Sequence, residues 1–232
     1  MLFVDILSLL KKKFKLNKES YSFGSVDLLV NYFFKEKQKG IYLDIGCQHP
    51  ISNNNTYLLH KRGWNGINVD LDAKSIQLFN LARSKDININ TAVSSGKFTK
   101  DLYFYHDKSA INTIEKQIAD YQKAEVKEVR SVYTETLDNI LSATSIDKID
   151  YLNIDVEGHE IDVLKGFNIK KYSPDIVSIE YLDLSMKKLE FKNNNLNNVL
   201  KSDIYKYMID REYSLINWNH ADLIFVNNML RD

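Results

Sequence analysis

Tyr42-Leu-Asp-Ile-Gly-Cys-Gln-His-Pro50 decides how this chain reads. Its apolar start suits a short strand covered on both faces, as in a parallel sheet. Gly46 breaks the strand and a polar loop follows. A helical run spans Thr56 to Arg62. Twenty-six residues beyond Asp44, a second apolar run, Gly66-Ile-Asn-Val-Asp70, ends on another carboxylate. Strand, glycine turn, helix and acid-terminated strand make the βαβ unit that holds adenosine-bearing cofactors.

The rest of the chain is compatible with one large α/β domain: 232 residues, 44% of them hydrophobic, suffice for a substantial core. Lys+Arg and Asp+Glu are equal at 31 each, which argues against a dedicated nucleic-acid binder. Cys47 is the single cysteine, so an internal disulfide and a cysteine-rich zinc site are excluded. Met1 to Leu10 is apolar, but Asp5 interrupts it and Lys11-Lys12-Lys13, Lys15 and Lys18 come after it, the reverse of a signal peptide. No run approaches a membrane span. The expectation is a cytoplasmic protein without stable membrane insertion, whose basic N-terminus is available for peripheral contact.

Residues 1–39 read as an N-terminal helical extension, with helices over 2–15 and over Asp27 to Lys37, stopped by Gly40. Residues 40–232 read as the main domain. Its next helix, capped by Asp72, has apolar positions Ile76, Phe79, Leu81 and Ala82. A third strand spans Ile87 to Val93, near a sheet edge. Strands over Leu102–Tyr105 and Val126–Tyr133 flank a helix over Ile114–Lys123, and a helix over Leu137–Leu141 follows. Ile149 to Ile154 is a strand that delivers Asp155-Val-Glu157-Gly-His159-Glu160, with a helix from there to Lys165. Ile176 to Ile179 delivers Glu180. One helix covers Val199 to Glu212. The closing strands, Tyr213–Trp218 and Leu223–Val226, lie too close for a crossover and are antiparallel.

Ligands of open α/β sheets bind beyond the carboxyl ends of the strands. Asp44, Asp70, Asp155, Glu157 and Glu180 all fall there. Acids gathered at one edge repel unless a cation, a metal or a hydroxyl-rich substrate partners them. Asp70 fits the acid that holds a ribose, and Gly46 fits close backbone approach to a cofactor. The loop has one glycine and then Gln48 and Pro50, whereas wrapping a pyrophosphate takes several glycines. That disfavours NAD and FAD. S-adenosylmethionine has no phosphate, and its ammonium and sulfonium suit nearby acids such as Asp44. Cys47 reads as a small residue packed beside the loop, with nothing to activate its thiol. His60 reads as a surface residue. His49, His159 and His220 lie near strand ends, where a lone histidine is usually structural. The rival readings are an NAD-dependent oxidoreductase or epimerase on a Rossmann fold, and a non-catalytic S-adenosylmethionine-binding protein.

Several segments together resemble the FkbM family of S-adenosylmethionine-dependent methyltransferases. They are Leu43 to Pro50, Ser52-Asn-Asn-Asn-Thr-Tyr57, Arg62-Gly-Trp-Asn-Gly-Ile-Asn-Val-Asp70, Ala92-Val-Ser94, Thr136-Leu-Asp138, Ile149 to Glu160 with Val163-Leu-Lys-Gly166, and Asp222-Leu-Ile-Phe-Val226. The resemblance implies a class I methyltransferase fold, a Rossmann-like, mostly parallel seven-stranded sheet with a terminal antiparallel hairpin. It implies O-methylation of a small-molecule or glycan acceptor, commonly a sugar. Carried onto this chain, it implies cofactor contacts from Asp44, Gly46, Cys47, Asn55, Thr56, Asp70, Leu71, Ala92, Val93 and Asp155. The chain departs from many members in having Pro50 where they have a second glycine, and in an extra Asn before Thr56.

The catalytic candidates are Asp155, Glu157 and His159. Asp155 is the first choice to accept the hydroxyl proton, yet an aspartate with a pKa of ~3.9 is a feeble base. Either a histidine takes the proton, His159 ahead of His220, or a divalent cation on Asp155, Glu157 or Glu180 acidifies the hydroxyl. Oxygen ligands suit Mg²⁺ or Ca²⁺.

Overall fold

Strands β1 (Ile41–Ile45), β2 (Asn65–Asp70), β3 (Ile87–Asn90), β4 (Ala92–Val93), β5 (Thr99–Phe104), β6 (Glu128–Glu135), β7 (Tyr151–Ile154), β8 (Ile176–Glu180), β9 (Tyr213–Asn219) and β10 (Asp222–Asn227) build two sheets. The structure is a computed structural model that describes residues 18–185 and 193–231. The helix expected over residues 2–15 lies outside them. The main sheet has seven strands in the order β3-β2-β1-β7-β8-β10-β9. Neighbours from β3 to β8 run parallel, and β10 pairs antiparallel with both β8 and β9. A three-stranded sheet, β4-β6-β5, stands beside it.

Helices α1 (Val26–Phe33), α2 (Tyr57–Lys61), α3 (Ala73–Ala82), α4 (Lys116–Tyr121), α5 (Leu137–Ser142), α6 (Glu160–Lys165), α7 (Ile169–Tyr172), α8 (Leu196–Lys201) and α9 (Asp203–Ile209) connect and cover the strands. None of the described helices is long and apolar enough to cross a membrane. Side chains alternate across each strand. Leu43, Ile45, Leu152, Ile154, Val177, Ile179, Leu223 and Phe225 share one core with Leu137, Val163, Leu164 and Met208. Tyr42, Tyr151, Ile176 and Ile224 point the other way and pack with Val26, Val30, Phe34, Leu59 and Trp64.

The expected strand over 87–93 is two strands. Thr91 N and Asn90 Nδ2 both donate to the Asp70 carbonyl, at 3.0 and 2.9 Å, which holds the chain as it leaves the main sheet. Ala92 and Val93 then pair with β6. The helix expected over Val199–Glu212 is also two, because Ser202 is extended (ψ 153°) and its hydroxyl accepts from Tyr205 N. Helix α1 ends at Phe33, not at Lys37. The Arg62 guanidinium takes the carbonyls of Phe34 and Lys37. Lys37 itself leaves the helix axis for Asp150, at 2.5 Å.

Candidate active site

Beyond the carboxyl ends of β1, β2, β7 and β8 lies a cavity of about 280 Å³. Asp70 closes β2, Glu180 closes β8, and Asp155 is the first residue after β7. Because β10 is antiparallel, its first residue reaches the same edge: Asp222 pairs with Glu180. Asp44, Asp72 and Glu157 complete the acidic lining, beside Asn53, Asn54, Asn55, Phe23 and His220. Among the described residues, no lysine or arginine lines the cavity.

The first half of the site is braced from behind. Asn68, Asp44, Asn153 and Ser178 stand in register across β2, β1, β7 and β8, a buried polar row between the apolar Tyr42, Tyr151 and Ile176 on one side and the cavity acids on the other. Asn153 Nδ2 donates to Asp44 Oδ1 at 2.8 Å. Thr56 Oγ1 and Asn54 Nδ2 donate to Asp44 Oδ2 at 2.8 and 3.0 Å. Behind them, Arg83, 1% exposed, donates to Thr56 Oγ1, Asn54 Oδ1 and the Pro50 carbonyl. Helix α3 faces inward through Ser75, Ile76 and Phe79, with Arg83 one turn further on, whereas Leu81 is 82% exposed. The expected apolar position Leu81 is therefore corrected: the inward residue at the end of α3 is a cation, which fastens the loop of Pro50 to Thr56.

Asp70 holds two loops. Its Oδ2 accepts from Gln48 N at 2.8 Å and its Oδ1 from Asp72 N at 2.7 Å. Burial raises its pKa to about 7, against the pull of those two backbone donors. Asp72 caps α3 by accepting from Lys74 N. Gly46 has φ +76°, and a Cβ there would lie 1.6 Å from the Asp155 carbonyl oxygen. Its glycine is thus required by the crossing of two strand ends, before any cofactor is considered.

The run from Asp155 to Glu160 divides by direction. Glu157 and Gly158 are both left-handed, at φ 55° and 94°. This turn presents Asp155 and Glu157 to the cavity. Glu160 turns away: its Oε1 accepts from Val156 N and Gly158 N at the start of α6, at 3.2 and 3.0 Å. His159 turns away too. It is 1% exposed, with Nδ1 on Glu115 at 2.6 Å and Nε2 on Ser94 Oγ at 2.9 Å. Burial, with Lys100 next, lowers its pKa. A lowered pKa favours the neutral ring, in which Nδ1–H donates to the carboxylate and Nε2 accepts from the serine.

The cavity carboxyls shift the other way. Burial first, then the charge of Asp44, lifts Asp155 to about 6, although a hydrogen bond with Glu180 opposes it. Burial, then Asp155, lifts Glu157 to about 9 and Asp222 to about 8. Glu180 is raised well above its ordinary value by burial and by the neighbouring acids. Cys47 is buried and its thiol is raised by burial.

An acid-rich cavity at the carboxyl edge of a mostly parallel sheet lies where open α/β sheets bind their ligands. The family model described as "Methyltransferase FkbM domain" matches residues 44–215. The chain belongs to the FkbM methyltransferase family. Curated proteins contain no significant match to it.

The FkbM domain brings Asp44, Gly46, Cys47, Asn55, Asp70, Leu71, Ala92, Val93, Asp155 and Glu157 to the cavity wall. It does not bring Thr56, which is fully buried behind Asp44, or His159, which both of its partners hold away. His60, on helix α2, is half-buried: its Nδ1 lies 3.2 Å from the Tyr42 hydroxyl, which itself bonds Asp86. Sequence reading missed Asn54, Asn153, Arg83 and the pocket role of Asp222. Of these, Arg83 alone left a trace, as a residue four beyond Phe79 on the inward stripe of α3.

Proposed function

We propose that the chain is an S-adenosylmethionine-dependent O-methyltransferase of the class I, Rossmann-like type, acting on a hydroxyl of a sugar, glycan or similar hydroxylated metabolite. The observation that carries this is the composition of the cavity lining. Its described lining holds acids and neutral polar groups and no lysine or arginine. A pyrophosphate in that setting would meet repulsion at close range. A donor with a sulfonium and an ammonium meets the opposite, and hydroxyls can donate to the remaining carboxylates.

In this reading Asp70 accepts hydrogen bonds from the ribose hydroxyls on its remaining lone pairs, and Gly46 and Cys47 pass along the donor beside Asp44. The acceptor enters on the side of Asp155 and Glu157. Its oxygen attacks the methyl carbon in line as the S–CH₃ bond breaks, leaving a neutral thioether. The proton passes to Asp155, whose pKa of about 6 makes it a better base than an exposed aspartate while leaving it ionised at neutral pH. Holding the oxygen and methyl in contact supplies much of the acceleration.

Calorimetry with S-adenosylmethionine, S-adenosylhomocysteine and NADH tests the donor. Binding of NADH in place of the sulfonium compound would favour an oxidoreductase or epimerase. A labelled-methyl screen over nucleotide sugars and polysaccharide fragments, with mass spectrometry of the products, tests the acceptor. Donor binding without transfer to any hydroxyl compound would favour a non-catalytic binding protein.

A further inference from the structure

The cofactor does not account for all of the cavity's carboxyl groups. S-adenosylmethionine carries one net positive charge, and the proposed reading sets it near Asp44 and Asp70. At the other end, Asp155, Glu157 and Glu180 each bring a carboxylate oxygen to within 4.8 Å of the others. Glu180 is 9% exposed, and its Oε2 is buried without a hydrogen-bond donor among the described residues. It lines the cavity, where no lysine or arginine of the described residues faces it. A buried carboxyl oxygen without a partner is unfavourable, and the side-chain hydrogen bond Glu180 does make is shared with another acid, Asp155. The backbone adds to this: Glu157 is held left-handed, a conformation unusual for a non-glycine residue, with its carbonyl fixed by Thr113 Oγ1 at 2.8 Å.

We infer that Asp155, Glu157 and Glu180 bind one hard divalent cation of the Mg²⁺, Mn²⁺ or Ca²⁺ type. A set of oxygen donors alone selects such ions over Zn²⁺. Ligand oxygens lie up to about 5 Å apart around Ca²⁺ and closer around Mg²⁺, given their bond lengths, and the 4.8 Å limit on this trio meets the Ca²⁺ span, with the smaller ion drawing the carboxylates inward. The role of the ion rests on the methyltransferase reading: the acceptor hydroxyl completes its coordination and is acidified. One oxygen of Asp155 then ligates the ion while the other takes the proton. The C–O bond forms as the S–CH₃ bond breaks, and nothing is oxidised or reduced. Binding of the ion itself is independent of that reading.

The test is a Mn²⁺ titration of the EDTA-treated full chain, followed by the loss of the free-ion electron paramagnetic resonance signal, with S-adenosylhomocysteine calorimetry on the same samples. The expected result is about one Mn²⁺ per chain, displaced by Mg²⁺ or Ca²⁺, with affinity weakened at least tenfold in both Glu180→Gln and Asp155→Asn. Thermal melts verify that each variant is folded, and either folded variant suffices. No Mn²⁺ uptake at millimolar concentration, or equal uptake in a folded variant, overturns the inference. S-adenosylhomocysteine binding without Mn²⁺ uptake would leave the methyltransferase reading standing and remove the ion. Mn²⁺ uptake without S-adenosylhomocysteine binding would do the reverse.

Discussion

The backbone of Gly46 runs so close to the Asp155 carbonyl that a Cβ on Gly46 would sit 1.6 Å from that oxygen. The loop after β1 and the loop after β7 are therefore one mechanical unit. Asp155 N donates to the Ile45 carbonyl at 2.9 Å and sets their spacing. Replacing Gly46 by alanine must push the loops apart and also strain a residue at φ +76°. Gly46→Ala is expected to lower the Tm and to weaken S-adenosylmethionine binding at least tenfold by calorimetry. Wild-type affinity in this variant would show that the loops move independently.

Asp155→Asn separates binding from chemistry. The amide keeps the shape and loses the proton acceptor. With the acceptor identified by the labelled-methyl screen, kcat should fall by about 10² to 10⁴, while donor affinity stays within about threefold. Transfer near the wild-type rate would remove Asp155 from the proton-accepting role.

His159→Gln addresses the competing base. With the ring walled in by Glu115 and Ser94, its loss should lower the Tm while the pH profile of kcat/KM keeps its wild-type shape. Loss of an ionisation from that profile would return His159 to the chemistry.

Asp70 makes stability depend on pH. Its carboxyl is held up at about 7, against 3.8 ordinarily. Between those values the folded chain keeps a proton that the unfolded chain has released. The contribution is fully present below about pH 4 and is lost as pH rises through about 7. The ligand-free protein should thus lose more Tm from pH 5 to pH 8 than Asp70→Asn does. The difference should amount to several degrees, at about 2–4 °C per kcal/mol for a chain of this size. Parallel Tm–pH curves would refute the assignment.

Arg83→Lys probes the brace. A lysine cannot reproduce the fork that meets Thr56, Asn54 and Pro50 together. Leaving those buried acceptors short of donors should cost about 3 kcal/mol or more in denaturant unfolding, and weaken donor binding through Asp44. A variant as stable as the wild type would make the network incidental.

Local pattern alone determined much of this protein. Apolar runs ending on Asp44, Asp70, Asp155 and Glu180 marked the strands and their ligand-bearing edge, because strand direction fixes which end of a residue run faces a site. The short link between the last two strands required an antiparallel pair, as observed. Tertiary structure alone decided the rest. Asn68, Asp44, Asn153 and Ser178 form a row only when four strands take their register, and no single segment encodes that alignment. Asp222 joins the acids because an antiparallel strand starts where parallel ones end. His159 and Glu157 lie two residues apart, yet two successive left-handed residues send one into the cavity and the other into the core. Spacing in the chain sets which residues are near; backbone handedness and register set which of them can meet a substrate.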